Sequence, residues 1–311
     1  MRRAVSLLLL CRESESHAAI SQHLDQHPQA VDGRDADGAT PLHWMALHGH
    51  LDLLQRMEAS HPTLSASPAR SGMQPIHWAV TRGRLAIVEH LVARLGRAAL
   101  DAVDTRLTTP VMVAAQYRDH KVLNWLVTHG ADAARVDQDG DTAMHWASYK
   151  DDAAGCALLS ELSALDPTLP DMFGSNCLHL AATTGAAGAA AWLLRRPEAE
   201  ALRRARDAKG RTAAEVAASR GHLQLKWLID HGPDAEPLAV WAGEASAWWR
   251  GAVQQSLLNL EAMVYGEGEA GVVHERRDAA ERYPWQSSSG DGGTEMQAMQ
   301  RSVEMRPADE G

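Results

Sequence analysis

Thr40-Pro41-Leu42-His43 is the stretch that decides the fold, because it returns in altered form at Gln74-Pro75-Ile76-His77, Thr109-Pro110-Val111-Met112, Thr142-Ala143-Met144-His145, Asn176-Cys177-Leu178-His179 and Thr212-Ala213-Ala214-Glu215. Successive anchors are 34, 35, 33, 34 and 36 residues apart. Self-similarity at such an interval marks stacked supersecondary units, none of which can bury its apolar face alone.

Each part of the unit has a physical reason. Thr at the anchor is a natural N-cap, and Pro after it stands at the first helical position, where its missing N–H costs nothing. A first helix starts there. Asp37-Gly38, Asp139-Gly140 and Lys209-Gly210 precede the anchor, where glycine supplies the positive φ of a tight turn and Asp can bond nearby backbone. Ala114-Ala115, Ala181-Ala182 and Ala217-Ala218 let neighbouring first helices approach closely. Gly49-His50, Gly83, Gly185 and Gly221-His222 then end that helix with a left-handed cap. A second helix follows, with apolar residues at three-to-four spacing, as in Leu85, Val88, Leu91 and Val92 or Val122, Leu123, Leu126 and Val127. It closes with His129-Gly130-Ala131-Asp132 in the third unit and His231-Gly232 in the sixth.

A period near 33 with a Thr-Pro-Leu-His-x-Ala core resembles the ankyrin-repeat family. That resemblance implies an all-α solenoid of helix-turn-helix units with short hairpin tips, and it covers residues 32–232. Residues 1–31, with an apolar run from Ala4 to Leu10 and a second segment from Ser16 to Leu24, read as a partial N-terminal capping repeat. The opening Arg2-Arg3 and the apolar run suggest a secretory signal only briefly, since the run is short and meets Arg12 and Glu13 without a small-residue cleavage site. In the sixth unit Ala214 and Glu215 replace the core Leu and His, a polar change suited to the end of a stack.

Composition narrows the function. The chain is 311 residues long, 45% hydrophobic and 23% charged, with a net charge of −10, so nucleic acid is not an expected partner. Cys11, Cys156 and Cys177 form no C-x-x-C pair, which favours a reducing, cytoplasmic setting. No apolar run reaches the length of a membrane helix. Of the sixteen His, four share one repeat position and four more sit at helix ends, leaving no metal-ligand spacing. There is no nucleophile elbow, P-loop or dinucleotide-binding turn. A non-enzymatic protein without metal or cofactor is expected.

In ankyrin repeats, partner contacts come from hairpin tips and the two residues before the first helix's cap. Here those pairs are Leu47-His48, Thr81-Arg82, Gln116-Tyr117, Tyr149-Lys150, Thr183-Thr184 and Ser219-Arg220. The two central pairs stand out, and Trp44, Trp78 and Trp146 each follow an anchor His. The expected partner-binding set is Gln116, Tyr117, Trp146, Tyr149 and Lys150, flanked by Trp78, Arg82, Trp44 and His48, holding a partner protein or extended peptide on the concave face. Each Trp has a second reading, as filler beneath the next repeat. Arg118 and Asp151 stand where the cap glycine belongs, so differently shaped turns are expected in the third and fourth units.

A narrower resemblance runs from Ala114-Ala115-Gln116-Tyr117 through Asp137-Gln138-Asp139-Gly140 to Trp146-Ala147-Ser148-Tyr149-Lys150. It is similar to the ankyrin domain of the ankyrin-repeat palmitoyltransferases. That likeness implies that Gln116 and Trp146 hold a substrate peptide for a membrane S-acyltransferase. The acylating domain itself, with its Asp-His-His-Cys motif, has no counterpart in this sequence.

After the sixth unit, Leu238, Trp241, Ala245, Trp248, Leu257, Leu260 and Val264 give residues 233–265 the pattern of an amphipathic helix. It would dock on the end of the stack or make weak membrane-surface contact through Trp248-Trp249. Residues 266–311 are rich in Gly, Ser, Glu and Asp and are expected to be disordered.

Overall fold

In the computed structural model, residues 7–13, 16–27 and 33–233 are described; the expected amphipathic helix and tail lie outside them. All regular structure among the described residues is helical. Two short helices, α1 (Leu7–Glu13) and α2 (His17–Gln26), precede six helix pairs. The pairs are α3 (Pro41–His48) with α4 (Leu51–Ser60), α5 (Pro75–Thr81) with α6 (Leu85–Leu95), and, after the short α7 (Arg97–Leu100), α8 (Pro110–Gln116) with α9 (His120–Thr128). They continue as α10 (Ala143–Tyr149) with α11 (Ala153–Ser163), α12 (Cys177–Thr184) with α13 (Ala187–Leu193), and, after α14 (Ala199–Arg204), α15 (Ala213–Ser219) with α16 (Leu223–His231).

The first helices form an inner row, α3 on α5, α5 on α8, α8 on α10, α10 on α12 and α12 on α15, and α1 packs on α3 at its start. Outer helices pack likewise, α9 on α11, α11 on α13 and α13 on α16. Alanines make the inner row possible: Ala46, Ala79, Ala114, Ala115, Ala147, Ala181, Ala182 and Ala217 are all fully buried. The outer stripe is buried too, through Leu53, Leu54, Ile87, Val88, Leu91, Val122, Leu123, Leu126, Leu225 and Leu228. Each such side chain contributes about 1.5–3 kcal/mol as an upper figure, and only because its neighbour repeat is present.

Each anchor closes its own N-cap by the same device. Nδ1 of His43, His77, His145 and His179 accepts the backbone N–H of Thr40, Gln74, Thr142 and Asn176, at 3.1, 3.1, 3.2 and 3.4 Å. Nε2 then donates to a carbonyl in the connection toward the next repeat, on Met73, Thr108, Leu169 and Arg211, at 3.0–3.2 Å. The third repeat substitutes the Met112 sulfur, 3.4 Å from the Thr109 N–H, and the sixth substitutes Glu215, whose Oε2 is 2.7 Å from the Thr212 N–H. Glu215 thus repeats the capping half of the histidine's role at the polar end of the repeats.

The loops before the anchors form fingers without strand structure. In five of six repeats an Asp five residues before the anchor organises the turn: Oδ1 of Asp35, Asp104, Asp137, Asp171 and Asp207 accepts the N–H groups two and four residues on, at 2.8–3.0 Å. Sequence reasoning assigned that bond to the Asp beside the glycine; Asp37 and Asp139 are instead donors into it. Neighbouring fingers are tied by one backbone bond each, Arg70 N–H to Asp37 O, Thr105 to Ser71, Gln138 to Arg106, Met172 to Asp139 and Ala208 to Phe173, at 2.7–2.9 Å.

The expectation of differently shaped turns at Arg118 and Asp151 is corrected. Both residues have φ of 56°, in the same left-handed region as Gly49, Gly83, Gly185 and Gly221. The helix pair needs that reversal whatever residue occupies it. Asp151 gains a bond in return, its Oδ1 lying 2.9 Å from the Ala189 N–H in the first turn of α13.

Candidate functional site

The inner helices end at one edge and begin at the fingers on the other, so the surface between them is bounded by fingertips and by helix C-termini. Equivalent residues from successive repeats line the second edge. Eight residues after each anchor stand His48, Arg82, Tyr117, Lys150, Thr184 and Arg220; the position before holds Leu47, Thr81, Gln116, Tyr149, Thr183 and Ser219.

At the centre, Gln116, Tyr117, Tyr149 and Lys150 are half-buried, with Tyr117 and Tyr149 packed against the core below. The Lys150 ammonium lies 5.6 Å from the centre of the Tyr149 ring, a cation–π arrangement, and burial pushes its pKa down. Tyr149 meets Trp146 edge-on, with ring centres 6.1 Å apart, and its carbonyl accepts the Thr184 hydroxyl at 3.0 Å. Arg82 is exposed, and the half-buried His48 stacks 6.2 Å from Trp44.

The three tryptophans are not an open aromatic line. Trp44, Trp78 and Trp146 are 3%, 1% and 6% exposed. They fill the angle between finger and inner helix: Trp44 Nε1 donates to Asp35 Oδ2 at 3.1 Å, and Trp146 Nε1 to Asp137 Oδ2 at 3.0 Å. Trp78 has no acceptor for its N–H among the described residues and is gripped edge-on by Trp44, ring centres 5.0 Å apart. The amide of Gln116 and the indole of Trp146 therefore differ in setting, one at the surface and one in the core.

The fingertips hold what sequence reasoning missed. Leu107, Met172 and Phe173 are 48%, 73% and 51% exposed, and Phe173 is the chain's single Phe. Their fingers, the third and the fifth, lie on either side of the fourth. Met172 N–H bonds Asp139 O, Gln138 N–H bonds Arg106 O, and the Arg106 guanidinium is 2.7 Å from the Asp139 carboxylate, so Leu107 and Met172-Phe173 flank one polar finger. Leu107 also carries φ of 64°, at the place where the other five fingers have Gly38, Gly72, Gly140, Gly174 and Gly210. The signal was in the sequence, as a Leu in the glycine column of the repeats and a lone Phe in a turn.

The buried thiols are unsuited to nucleophilic chemistry, since burial pushes Cys11 and Cys177 up to about 12 and Cys156 well above the ordinary thiol value. Among the described residues no group of His, Cys, Asp or Glu has metal-site geometry, and no helix is long and apolar enough to cross a membrane.

A family model described as ankyrin repeats in three copies matches residues 7–104 and 95–171, together more than half of the chain. The chain belongs to the ankyrin-repeat family. Among curated relatives, this ankyrin-repeat chain is 28% identical over 152 residues to neurogenic locus notch homolog protein 1 of Xenopus tropicalis, a match covering 49% of this chain and 6% of that protein. It is likewise 28% identical over 141 residues to the transient receptor potential cation channel subfamily A member 1 homolog of Caenorhabditis elegans, covering 45% of this chain and 11% of that one. The chain spans a small part of the length of either, so the likeness is between ankyrin regions. Ankyrin repeats are generally protein-interaction units without catalysis of their own.

Proposed function

We propose that this protein is an adaptor or scaffold that holds a partner protein or an extended peptide on its inner surface, between the fingertips and the ends of the inner helices. One observation carries the reading: the half-buried Gln116, Tyr117, Tyr149 and Lys150 lie on adjacent repeats across the inner row from exposed Leu107, Met172 and Phe173. Exposed apolar groups beside aromatic and cationic ones are the composition of interface hot spots. Three buried free thiols suit a reducing compartment such as the cytoplasm. The alternative, recruitment of substrate for a membrane S-acyltransferase through Gln116 and Trp146, is the weaker reading, because the indole is buried and its N–H is committed to Asp137.

The test is a screen of the full chain against a library of extended peptides and folded domains, repeated with Tyr149→Ala and Phe173→Ser. Binders lost with both substitutions support the surface. Binders indifferent to both place recognition elsewhere on the molecule, and the proposal fails.

A further inference from the structure

The two edges of this surface differ in chemistry. On the helix-end edge, the position eight residues after the anchor carries Arg82, Lys150 and Arg220 and no acidic residue in any repeat, in a chain whose net charge is −10. Arg118 adds a fourth cation beside Tyr117. Neither Arg118 nor Lys150 forms an ion pair with a carboxylate among the described residues, and Lys150 is half-buried with only the Tyr149 ring against its ammonium. Asp151, the counterpart of Arg118 one repeat on, commits Oδ1 to Ala189, whereas the left-handed Arg118 has no such return. An unpaired, partly desolvated Lys150 and an uncompensated strained Arg118 cost stability, and such features gather where a ligand completes them.

The other edge carries exposed apolar groups, Leu107 on one side of the polar fourth finger and Met172 and Phe173 on the other. The seven-residue α8 separates the edges, and seven residues of helix rise about 10 Å. A strand sends alternate side chains to opposite sides, and the spacing of stacked sheets, about 10 Å, is the reach of two opposed side-chain layers. A strand running along the stack over the inner helices thus turns every second residue to the fingertips and the rest to the cations.

Resting on the surface reading above, we propose that the partner is an extended segment that alternates apolar and acidic residues, apolar side chains meeting Leu107, Met172 and Phe173 and carboxylates meeting Arg118 and Lys150.

The experiment uses the full chain and three fluorescein-labelled synthetic nonapeptides: alternating Leu and Glu, the same residues in two blocks, and alternating Leu and Lys. Fluorescence anisotropy is expected to give at least about tenfold tighter binding for the alternating Leu–Glu peptide than for either control, a difference of about 1.4 kcal/mol. Arg118→Glu with Lys150→Glu is expected to reverse the preference between Glu and Lys peptides, with an unchanged helical signal confirming folding. Phe173→Ser is expected to weaken all apolar peptides together. Equal affinity for the three peptides, preference for the Leu–Lys peptide, or no binding of the Leu–Glu peptide overturns the inference. Peptides that bind equally and are lost with Tyr149→Ala would leave the surface reading standing while removing this one.

Discussion

The indole N–H of Trp146 lies 3.0 Å from Oδ2 of Asp137, while Oδ1 of the same carboxylate accepts the backbone N–H groups of Asp139 and Asp141, each at 2.9 Å. One buried carboxylate therefore joins the fourth finger to the inner helix behind it. Burial raises the Asp137 pKa against these three donors. Asp137→Asn keeps the shape but turns an amide donor toward either the indole or the turn. A loss of about 1–3 kcal/mol is expected by urea denaturation, as for a buried group left unsatisfied. Trp146→Ala is expected to cost about 3–5 kcal/mol, the range for a buried aromatic. Tyr149→Ala, at the surface, is expected to cost about 1 kcal/mol and to act mainly on binding. A Trp146→Ala protein of unchanged stability would place the indole outside the core.

Leu107 holds a left-handed backbone that glycine adopts without strain. Leu107→Gly is therefore expected to raise stability by about 1 kcal/mol while weakening any ligand of the inner surface. Thermal unfolding and peptide anisotropy on the same samples check the two halves. A stabilised variant with undiminished binding would make Leu107 a tolerated irregularity with no role.

His120 and Asp152 clamp the third repeat to the fourth on the outer side, with Nε2 2.7 Å from a carboxylate oxygen that is otherwise buried. Asp152 also caps α11, accepting the Gly155 N–H at 3.0 Å. Asp152→Ala removes both bonds and is expected to cost about 2–4 kcal/mol, more than His120→Ala, which leaves the cap in place. Urea unfolding of the two variants gives the order directly; the reverse order would assign the energy to the imidazole.

Acid should loosen the stack through its buried histidines. Burial lowers the pKa of His43 to about 4 and lowers those of His77 and His179 as well. A folded-state value below the unfolded one means that the unfolded chain binds the proton first, so stability falls as pH drops through the window between about 6.5 and 4. At 1.36 kcal/mol per pH unit, His43 alone removes roughly 2 kcal/mol at pH 5 relative to pH 7. Thermal melts across pH 5–7.5 check the sign, and a midpoint that rises toward pH 5 would contradict it.

The repeat interval, the N-caps and the helix-ending glycines were legible in the sequence because each is a local backbone requirement recurring at fixed spacing. The shared position of His43, His77, His145 and His179 likewise told that the imidazoles were structural. Arg118 and Asp151 misled because their side chains suggested a different turn, while the demand for reversal comes from the helix pair and is met at φ of 56° by either residue. Trp44, Trp78 and Trp146 misled for a related reason. An indole in an inner helix can face outward or wedge behind a finger, and only the fold settles that it wedges, by bringing Asp35 beside Trp44, Asp137 beside Trp146 and Trp44 beside Trp78.

By itself, then, the sequence determined that the chain stacks six helix pairs, since period, caps and apolar stripes act within one unit or between adjacent copies. What lies open on the surface was decided by tertiary structure alone. Leu107 comes from one finger and Met172 and Phe173 from another two repeats on, Tyr117, Tyr149 and Lys150 from the far ends of two helices, and which of them water reaches depends on how neighbouring repeats pack, a property that no single repeat carries.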